Sequence, residues 1–190
     1  MLHQWAYDIK ADEIVVPDSL GDADATIHMA RDFEDYVGDD FDYMGVIQGR
    51  TAQEVAWCMN QWIRMSWVDV IAVPRILVHN LYMQARVDII ETLVDKFAGR
   101  FKAIHALGSS SWIQEAISIR AAGARSMDTS MPAVIGLHER TLAENEYYSR
   151  PVDFFEWQPT VSQEKYIIDN CNEFIKYAKA SPGELRELSS

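Results

Sequence analysis

The sequence predicts an α/β fold in which short buried strands alternate with amphipathic helices. Five apolar segments recur along the chain, and their starts lie 30, 26, 33 and 23 residues apart. This interval is typical of a βα unit, and near-continuous apolar strands are typical of a parallel sheet that helices cover on both faces. A chain of 190 residues with 48% hydrophobic content can bury a sizeable core without metals or disulfides.

The predicted strands are the apolar runs at 13–17, 43–48, 69–73, 102–107 and 125–128. Helix signals occupy the intervals between them. Thr51 with Glu54 forms a capping box ahead of an apolar stripe. Ser111 with Gln114 forms a second one. Between 80 and 99, apolar residues recur every three or four positions, as on one face of a helix.

Three further segments complete the predicted elements. Residues 22–37 are typical of a helix that begins at Asp22 or Asp24. Residues 162–180 are typical of a final helix. The stretch 132–159 is aromatic and polar and loses helical periodicity, so we expect irregular structure there.

Two architectures fit this order of elements. The chain holds no linker long enough to divide it, so we expect a single domain at 1–180 and a flexible tail at 181–190. Five βα units suit either an open doubly wound sheet or part of a (β/α) barrel, whose usual length is about 250 residues. Length favours the open sheet, whereas the motifs below favour an incomplete or shortened barrel of about five to seven βα units.

The negative net charge excludes a protein that binds nucleic acid over its whole surface. The formal net charge is −12, and residues 1–42 carry 12 acidic against 2 basic residues. Any contact with phosphates is therefore expected to be local.

Cysteine and histidine usage argues against metal sites and disulfide frameworks. Cys58 and Cys171 are too few for a zinc motif, and no HxxxH or HExxH spacing occurs. GxGxxG and Walker A motifs are missing as well, so we expect no metal and no cofactor. Without a leader-like start or an apolar run of about 18 residues, a cytoplasmic protein with no membrane contact is expected.

Candidate site residues directly follow the predicted strands, because ligands of α/β folds bind at the carboxyl ends of strands. They are Asp18, Gln48, Arg75, Gly108, Ser109 and Asp128. Such a set can read the planar edge of a base, since carboxylates accept from ring N–H and amino groups while an amide donates and accepts. Structural roles stay open: Asp18 and Asp128 also suit caps or turns, and Gln48 also suits a turn.

A second candidate site is the serine run after the fourth predicted strand. Ser109 and Ser110 precede a predicted helix, where unpaired backbone N–H groups are available. Such groups bind phosphate, so we expect a phosphate contact at these two residues.

Several short motifs together resemble the tRNA-guanine transglycosylases. Residues 44–50, MGVIQGR, resemble the strand that ends in a G-x-x-Q-G pattern and supplies a base-binding glutamine. Upstream, residues 11–22, ADEIVVPDSLGD, resemble the strand whose terminal aspartate reads the guanine edge. Downstream, HALGS at 105–109 and GARSMD at 123–128 are similar to the family's later strand and its Asp-bearing strand.

The resemblance covers about two thirds of the chain, and it implies a function. The wording SMDTSMP at 126–132 is nearest to the phage-associated branch, which inserts 7-deazaguanine derivatives into DNA. The implied protein is a base-exchange glycosyltransferase with a TIM-barrel fold, of the queuosine type. It acts on guanine in DNA, tRNA or a nucleotide through a covalent aspartyl intermediate.

The resemblance also implies roles for individual residues. Asp128 is the expected catalytic nucleophile. Asp18, Gln48, Gly49 and Arg75 are the expected base-binding residues for guanine or a 7-deazaguanine base. The family's Gly-Gly-Leu pocket segment falls where this chain has AVPRI, so the resemblance implies altered backbone contacts to the base, which Arg75 either replaces or blocks.

Two other functions stay open, because the family's zinc motif and the first strands of its barrel have no counterpart in this sequence. One is a non-catalytic or partner-dependent base-binding module derived from a transglycosylase barrel. The other is an unrelated α/β enzyme that acts on a small phosphorylated metabolite. An incomplete barrel exposes strand edges, which predicts either a homodimer or local closure by residues 133–160.

Overall fold

Five short strands alternate with helices along the chain, as the spacing of apolar segments predicts. The structure is a computed structural model that describes residues 2–108, 113–144, 148–180 and 184. Its strands are β1 (Glu13–Val15), β2 (Asp42–Val46), β3 (Val70–Pro74), β4 (Ala103–Leu107) and β5 (Ser126–Met127). Its helices are α1 (Leu2–Ile9), α2 (Ala23–Phe33), α3 (Ala52–Arg64), α4 (Ile76–Asn80), α5 (Ala85–Lys96), α6 (Ile113–Ala122), α7 (Met131–Leu137) and α8 (Val161–Lys179), with 3₁₀ turns at Glu34–Tyr36 and Leu142–Glu144.

The strands form one sheet in the order β1-β2-β3-β4-β5, so neighbours in the sheet are consecutive in the chain. The pairs β1–β2 and β2–β3 are parallel, with Val15 opposite Met44 and Met44 opposite Val70. A doubly wound sheet reverses its strand order partway through. The observed order is instead compatible with part of a (β/α) barrel.

By its internal contacts the chain forms two compact units, Met1–Ala106 and Leu107–Ser190. No Pro- or Gly-rich linker marks this boundary in the sequence. The predicted capping residue Ser111 and the predicted tail at 181–190, apart from Glu184, lie outside the described residues.

The first unit is built around β3 and the inner face of α3. Every residue of β3 is buried, which explains its uninterrupted apolar sequence. Trp62 of α3 is fully buried, and its Nε1 donates to the carbonyl of Val46 at 2.9 Å. A Cβ at Gly45 would lie 2.7 Å from the Trp62 ring, so this glycine makes room for the indole.

Arg100 holds the C-terminus of α3. Its Nε donates to the carbonyl of Ile63 at 2.7 Å and its Nη1 to that of Val68 at 3.0 Å. Its Nη2 donates to Trp62 at 3.2 Å and also to Met65. One guanidinium therefore satisfies several of the carbonyls that a helix end leaves unpaired.

The second unit centres on the packing of α7 against α8. Asn170 of α8 is 3% exposed and bonds through both ends of its amide. Its Oδ1 accepts from Leu142 N–H at 3.1 Å, and its Nδ2 donates to the carbonyls of Arg140 at 2.9 Å and Pro132 at 3.3 Å. Asn170 thus fixes the chain that follows α7.

Three helices, α1, α4 and α7, are not among the expected elements. The helix α7 occupies the start of the stretch predicted as irregular, and all but one of its residues are buried. A short helix that is buried on every side has no amphipathic stripe, so periodicity cannot reveal it. The helix α1 precedes the first predicted strand, and the five-residue α4 ends where the helix predicted at 80–99 was expected to begin.

Candidate functional site

The carboxyl ends of β1 and β2 place two predicted site residues at the same edge of the sheet. The two strands are parallel, so the polypeptide leaves both of them at the same edge of the sheet. Asp18 lies three residues beyond β1, and Gln48 lies two residues beyond β2. The register of this strand pair therefore sets their proximity.

A hydrogen bond joins these two side chains. Gln48 Nε2 donates to Asp18 Oδ2 at 2.6 Å, and Gln48 Oε1 accepts from the backbone N–H of Gly21 at 2.9 Å. The two bonds fix the orientation of the amide, because a carboxylate and an N–H group require opposite ends of it. Gln48 is 1% exposed and Asp18 is half-buried, so Asp18 is the accessible member of the pair.

The contacts also exclude one structural role that the sequence left open for Asp18, which is to cap the helix that follows it. The N-cap of α2 is Asp22, whose side chain accepts from Ala25 N–H at 3.0 Å. Asp18 is therefore not the cap of this helix. Gln48, for its part, ties the loop after β1 to the end of β2, so it has a structural role beside any binding role.

A buried thiol lies against the backbone of Gln48. The N–H of Gln48 donates to Cys58 Sγ at 3.4 Å, and burial raises the pKa of Cys58 to about 11. The thiol therefore stays protonated at neutral pH. Sequence reasoning missed this contact, because the stripe formed by Val55, Cys58 and Trp62 on α3 indicates that the thiol is buried but not which group it contacts.

Gly49 has a packing reason for being glycine. Its φ is 153°, and a Cβ there would lie 2.8 Å from the backbone nitrogen of Val55. Its carbonyl accepts from Asn80 Nδ2 at 2.9 Å. Gly49 thus lets α3 begin close to the end of β2, and its predicted contact with a base stays a prediction.

Arg75 directly follows β3, at the N-cap position of the short helix α4. Its side chain is half-buried and makes no capping bond, and among the described residues its guanidinium has no hydrogen-bonding partner. Because β2 and β3 are parallel, Arg75 belongs to the same sheet edge as Gln48. It can donate to a carbonyl or an anion there.

A pocket of about 390 Å³ opens beside the N-termini of α2 and α3. Residues that line it include Gly21, Asp22, Asp24, Arg50, Gln53 and Trp57. Gly21 connects this pocket to the Asp18–Gln48 pair through its bond to Gln48. Arg50, two residues beyond Gln48, is the cation that the sequence analysis did not single out.

In the second unit, Asp128 directly follows β5 and is exposed. Its Oδ1 accepts from the backbone N–H of Gly108 at 2.8 Å. Gly108 directly follows β4 and has a φ of 68°. This bond joins two strand ends and orients the carboxylate.

The remaining expectations concern serines, metals and membranes. Ser109 and Ser110 lie outside the described residues, so their phosphate contact stays a prediction. Within the described ranges, no group of three or more His, Cys, Asp or Glu side chains could hold a metal ion. The helices of those ranges also lack the combination of length and apolar character that crossing a bilayer requires.

The fold and the site together define an α/β chain with paired polar side chains at the carboxyl edge of its sheet. Comparisons with protein-family models, with curated proteins and with solved structures returned no match.

Proposed function

We propose that this chain is a base-exchange glycosyltransferase that acts on guanine in a nucleic acid or a nucleotide. The observation that carries the proposal is the hydrogen-bonded Asp18–Gln48 pair at the carboxyl edge of β1 and β2. It lies where the resemblance to tRNA-guanine transglycosylases expects the residues that read the base. The sheet, with strands in chain order, is on this proposal a shortened TIM barrel.

The donor and acceptor pattern of the pair suits guanine. The carboxylate of Asp18 accepts from the N1–H and N2–H groups of the base, since only part of its acceptor capacity goes to Gln48. The guanidinium of Arg75, which is more accessible than the buried Gln48, is the donor that O6 requires, and Gln48 holds the Asp18 carboxylate in orientation. Adenine presents a donor instead of O6 and lacks N1–H, so the same groups reject it.

Asp128 is the proposed nucleophile of a double displacement at C1′. Its carboxylate oxygen forms a bond to C1′ while the C1′–N9 bond breaks, and the guanine leaves with the electron pair and takes up one proton. The incoming base loses one proton and attacks C1′. The bond to Asp128 then breaks, which restores the carboxylate and gives net retention at C1′.

Exchange of labelled guanine into DNA and into tRNA tests the nucleophile. Asp128→Asn should lower the exchange rate about 10³-fold or more, because an amide cannot form the intermediate. The matched control is Asp153→Asn, an exposed carboxylate of the same unit, which should leave the rate unchanged. Undiminished exchange in Asp128→Asn would overturn the assignment.

Binding of free guanine tests the reading pair separately from the chemistry. Asp18→Asn replaces an acceptor by a donor, so guanine affinity should fall at least tenfold. Asp32→Asn, which changes an exposed acidic residue of α2 away from the pocket, should have no such effect. Equal affinity in both variants would count against the proposed edge contacts.

The exposure of Asp128 favours one alternative, a partner-dependent or non-catalytic base-binding module. Glycosyl chemistry needs a site that excludes water, and a solvent-exposed carboxylate requires something to cover it. A module of this kind binds guanine or a 7-deazaguanine base but exchanges none until a partner is added. Exchange by the isolated chain would eliminate this alternative.

A further inference from the structure

The exposed large hydrophobic side chains described in the second unit all lie between residues 152 and 175. Three of them are spaced seven residues apart on α8: Val161, Ile168 and Ile175, with 85%, 58% and 44% of their surface exposed. A spacing of seven keeps side chains on one face of a helix. The helix therefore carries an apolar stripe, called here the outer stripe.

The outer stripe is distinct from the face with which α8 packs into its own unit. The inner face carries the buried Asn170 and Phe174. At 100° per residue, Ile168 and Ile175 lie about 140° to 160° around the helix from Asn170. The helix α8 thus buries one side and presents apolar side chains on nearly the opposite side.

Three exposed charged residues, Glu164, Lys165 and Lys179, border the outer stripe, and Glu164 and Lys179 lie at equal distances from the midpoint of Ile168 and Ile175. Glu164 lies in the first turn of α8 and Lys179 in the last, and both are exposed. Neither has an ion-pair partner among the described residues. The midpoint of Glu164 and Lys179 falls between positions 171 and 172, and so does the midpoint of Ile168 and Ile175.

We propose that α8 pairs antiparallel with α8 of a second copy of this chain, across a two-fold axis between positions 171 and 172. One axis then places Ile168 against Ile175 of the second copy and Glu164 against Lys179 of the second copy, twice each. A parallel pairing would instead set like charges against each other. The coincidence of the two midpoints therefore selects a second copy as the occupant and fixes its direction.

The contact is modest in area, so the dimer is reversible. A single helix pair is smaller than the roughly 1,600 Å² that specific stable complexes bury. We expect dissociation in the micromolar range, together with weakening by salt, because two of the four paired contacts are exposed ion pairs.

Sedimentation equilibrium of the full chain over a range of concentrations is the first test. The wild type should show a monomer–dimer equilibrium, and Ile168→Glu should shift its dissociation constant at least about tenfold. The matched control is Val94→Glu, an exposed aliphatic residue on α5, which should leave the equilibrium unchanged. Circular dichroism spectra of both variants should match the wild type.

Charge reversal tests the direction of the pairing. Glu164→Lys alone and Lys179→Glu alone should each raise the dissociation constant several-fold, to about tenfold. The double variant should restore it, because each pair is opposite in sign again. Single and double variants with the same weakening would refute the antiparallel register.

Cys171 provides a readout at the axis. A short bis-maleimide should link Cys171 to its counterpart in the dimer, whereas Cys58 is 0% exposed and should stay unmodified. Cys171→Ser should abolish the linked species. A strict monomer at several hundred micromolar, or a dimer that survives Ile168→Glu without linkage at Cys171, would overturn the proposal.

Discussion

The side-chain amide of Gln48 has a structural role in addition to its proposed role in base binding. Gln48 holds the loop after β1 through Gly21 and orients Asp18 at the same time. Removing the amide would therefore release the loop as well as any ligand contact. Asp18→Asn is the cleaner probe of base binding. Asp18 makes only one of these two hydrogen bonds, and the bond between Gly21 and Gln48 still holds the loop in the variant.

The Cys58 thiol gives the first unit a sensitivity to alkaline pH. Burial raises its folded-state pKa from 9.0 to about 11, so the unfolded chain releases this proton first. The stabilisation is fully present below pH 9 and is lost as the pH rises toward 11. The free energy of unfolding should fall by about 2 to 3 kcal/mol over this window from the thiol alone.

Urea unfolding at several pH values between 8 and 11 measures this effect. Tyrosines and lysines also titrate there, so the quantity to compare is the pH slope of the wild type with that of Cys58→Ala. The slope should become shallower in Cys58→Ala and should change less in Cys171→Ala, because burial raises the pKa of that less buried thiol by a smaller amount. Equal slopes in all three proteins would contradict the assignment.

At the scale of single elements, α3 depends on a residue far from it in the sequence. Arg100 donates to carbonyls at and just beyond the C-terminus of α3, and one of them belongs to the buried Trp62. Arg100→Ala should lower the free energy of unfolding by about 2 to 3 kcal/mol, because it leaves these carbonyls without their charged donor. Arg100→Lys should recover less than half of the loss, since an ammonium lacks the planar fork.

Chemical denaturation of both variants beside Arg64→Ala checks this prediction. Arg64 is an exposed basic residue in the last turn of the same helix, so its replacement should change the free energy of unfolding by less than about 0.5 kcal/mol. A similar loss in Arg64→Ala and Arg100→Ala would show that only charge near the helix end matters.

The positions of the strands could be predicted closely from the sequence, and those of the site residues only in part. Every predicted strand overlaps an observed one, because a parallel strand buried on both faces has a dense apolar run that is hard to misplace. The capping box at Thr51 and Glu54 is confirmed. The predicted helix at 80–99 begins instead at Ala85, since the chain turns sharply at Leu81 after α4.

The site could be predicted only as far as the edge of the sheet. The ends of the predicted strands indicate Asp18 and Gln48 as site residues. The hydrogen bond between them depends on the register of β1 against β2, which no local sequence pattern specifies. The bond from Gln48 to Cys58 and the donor role of Arg100 are contacts between distant segments. No periodicity or motif reports such contacts.

At the scale of the whole molecule, the uneven charge should matter for stability. Residues 1–42 carry a balance of −10, while the rest of the chain is nearly neutral. Self-repulsion within this block should be screened by salt. Raising NaCl from about 10 mM to about 300 mM should therefore raise the Tm by about 2 to 4 °C.

Removing charge from the block should have the same effect without salt. Asp35→Asn combined with Asp39→Asn, both exposed, should raise the Tm at low ionic strength. Asp153→Asn combined with Glu156→Gln, two exposed residues of the second unit, should not. Scanning calorimetry at two salt concentrations separates these cases, and a Tm independent of salt in the wild type would contradict the prediction.

The order of the strands also bears on how the chain is made. Since β2 pairs with β1, and β3 pairs with β2, each of these two strands finds a neighbour already synthesised when it leaves the ribosome. The sheet can then grow from one edge during translation, without waiting for a distant segment. The apolar strand β3 in particular spends little time exposed to other nascent chains, because its partner β2 is complete before it emerges.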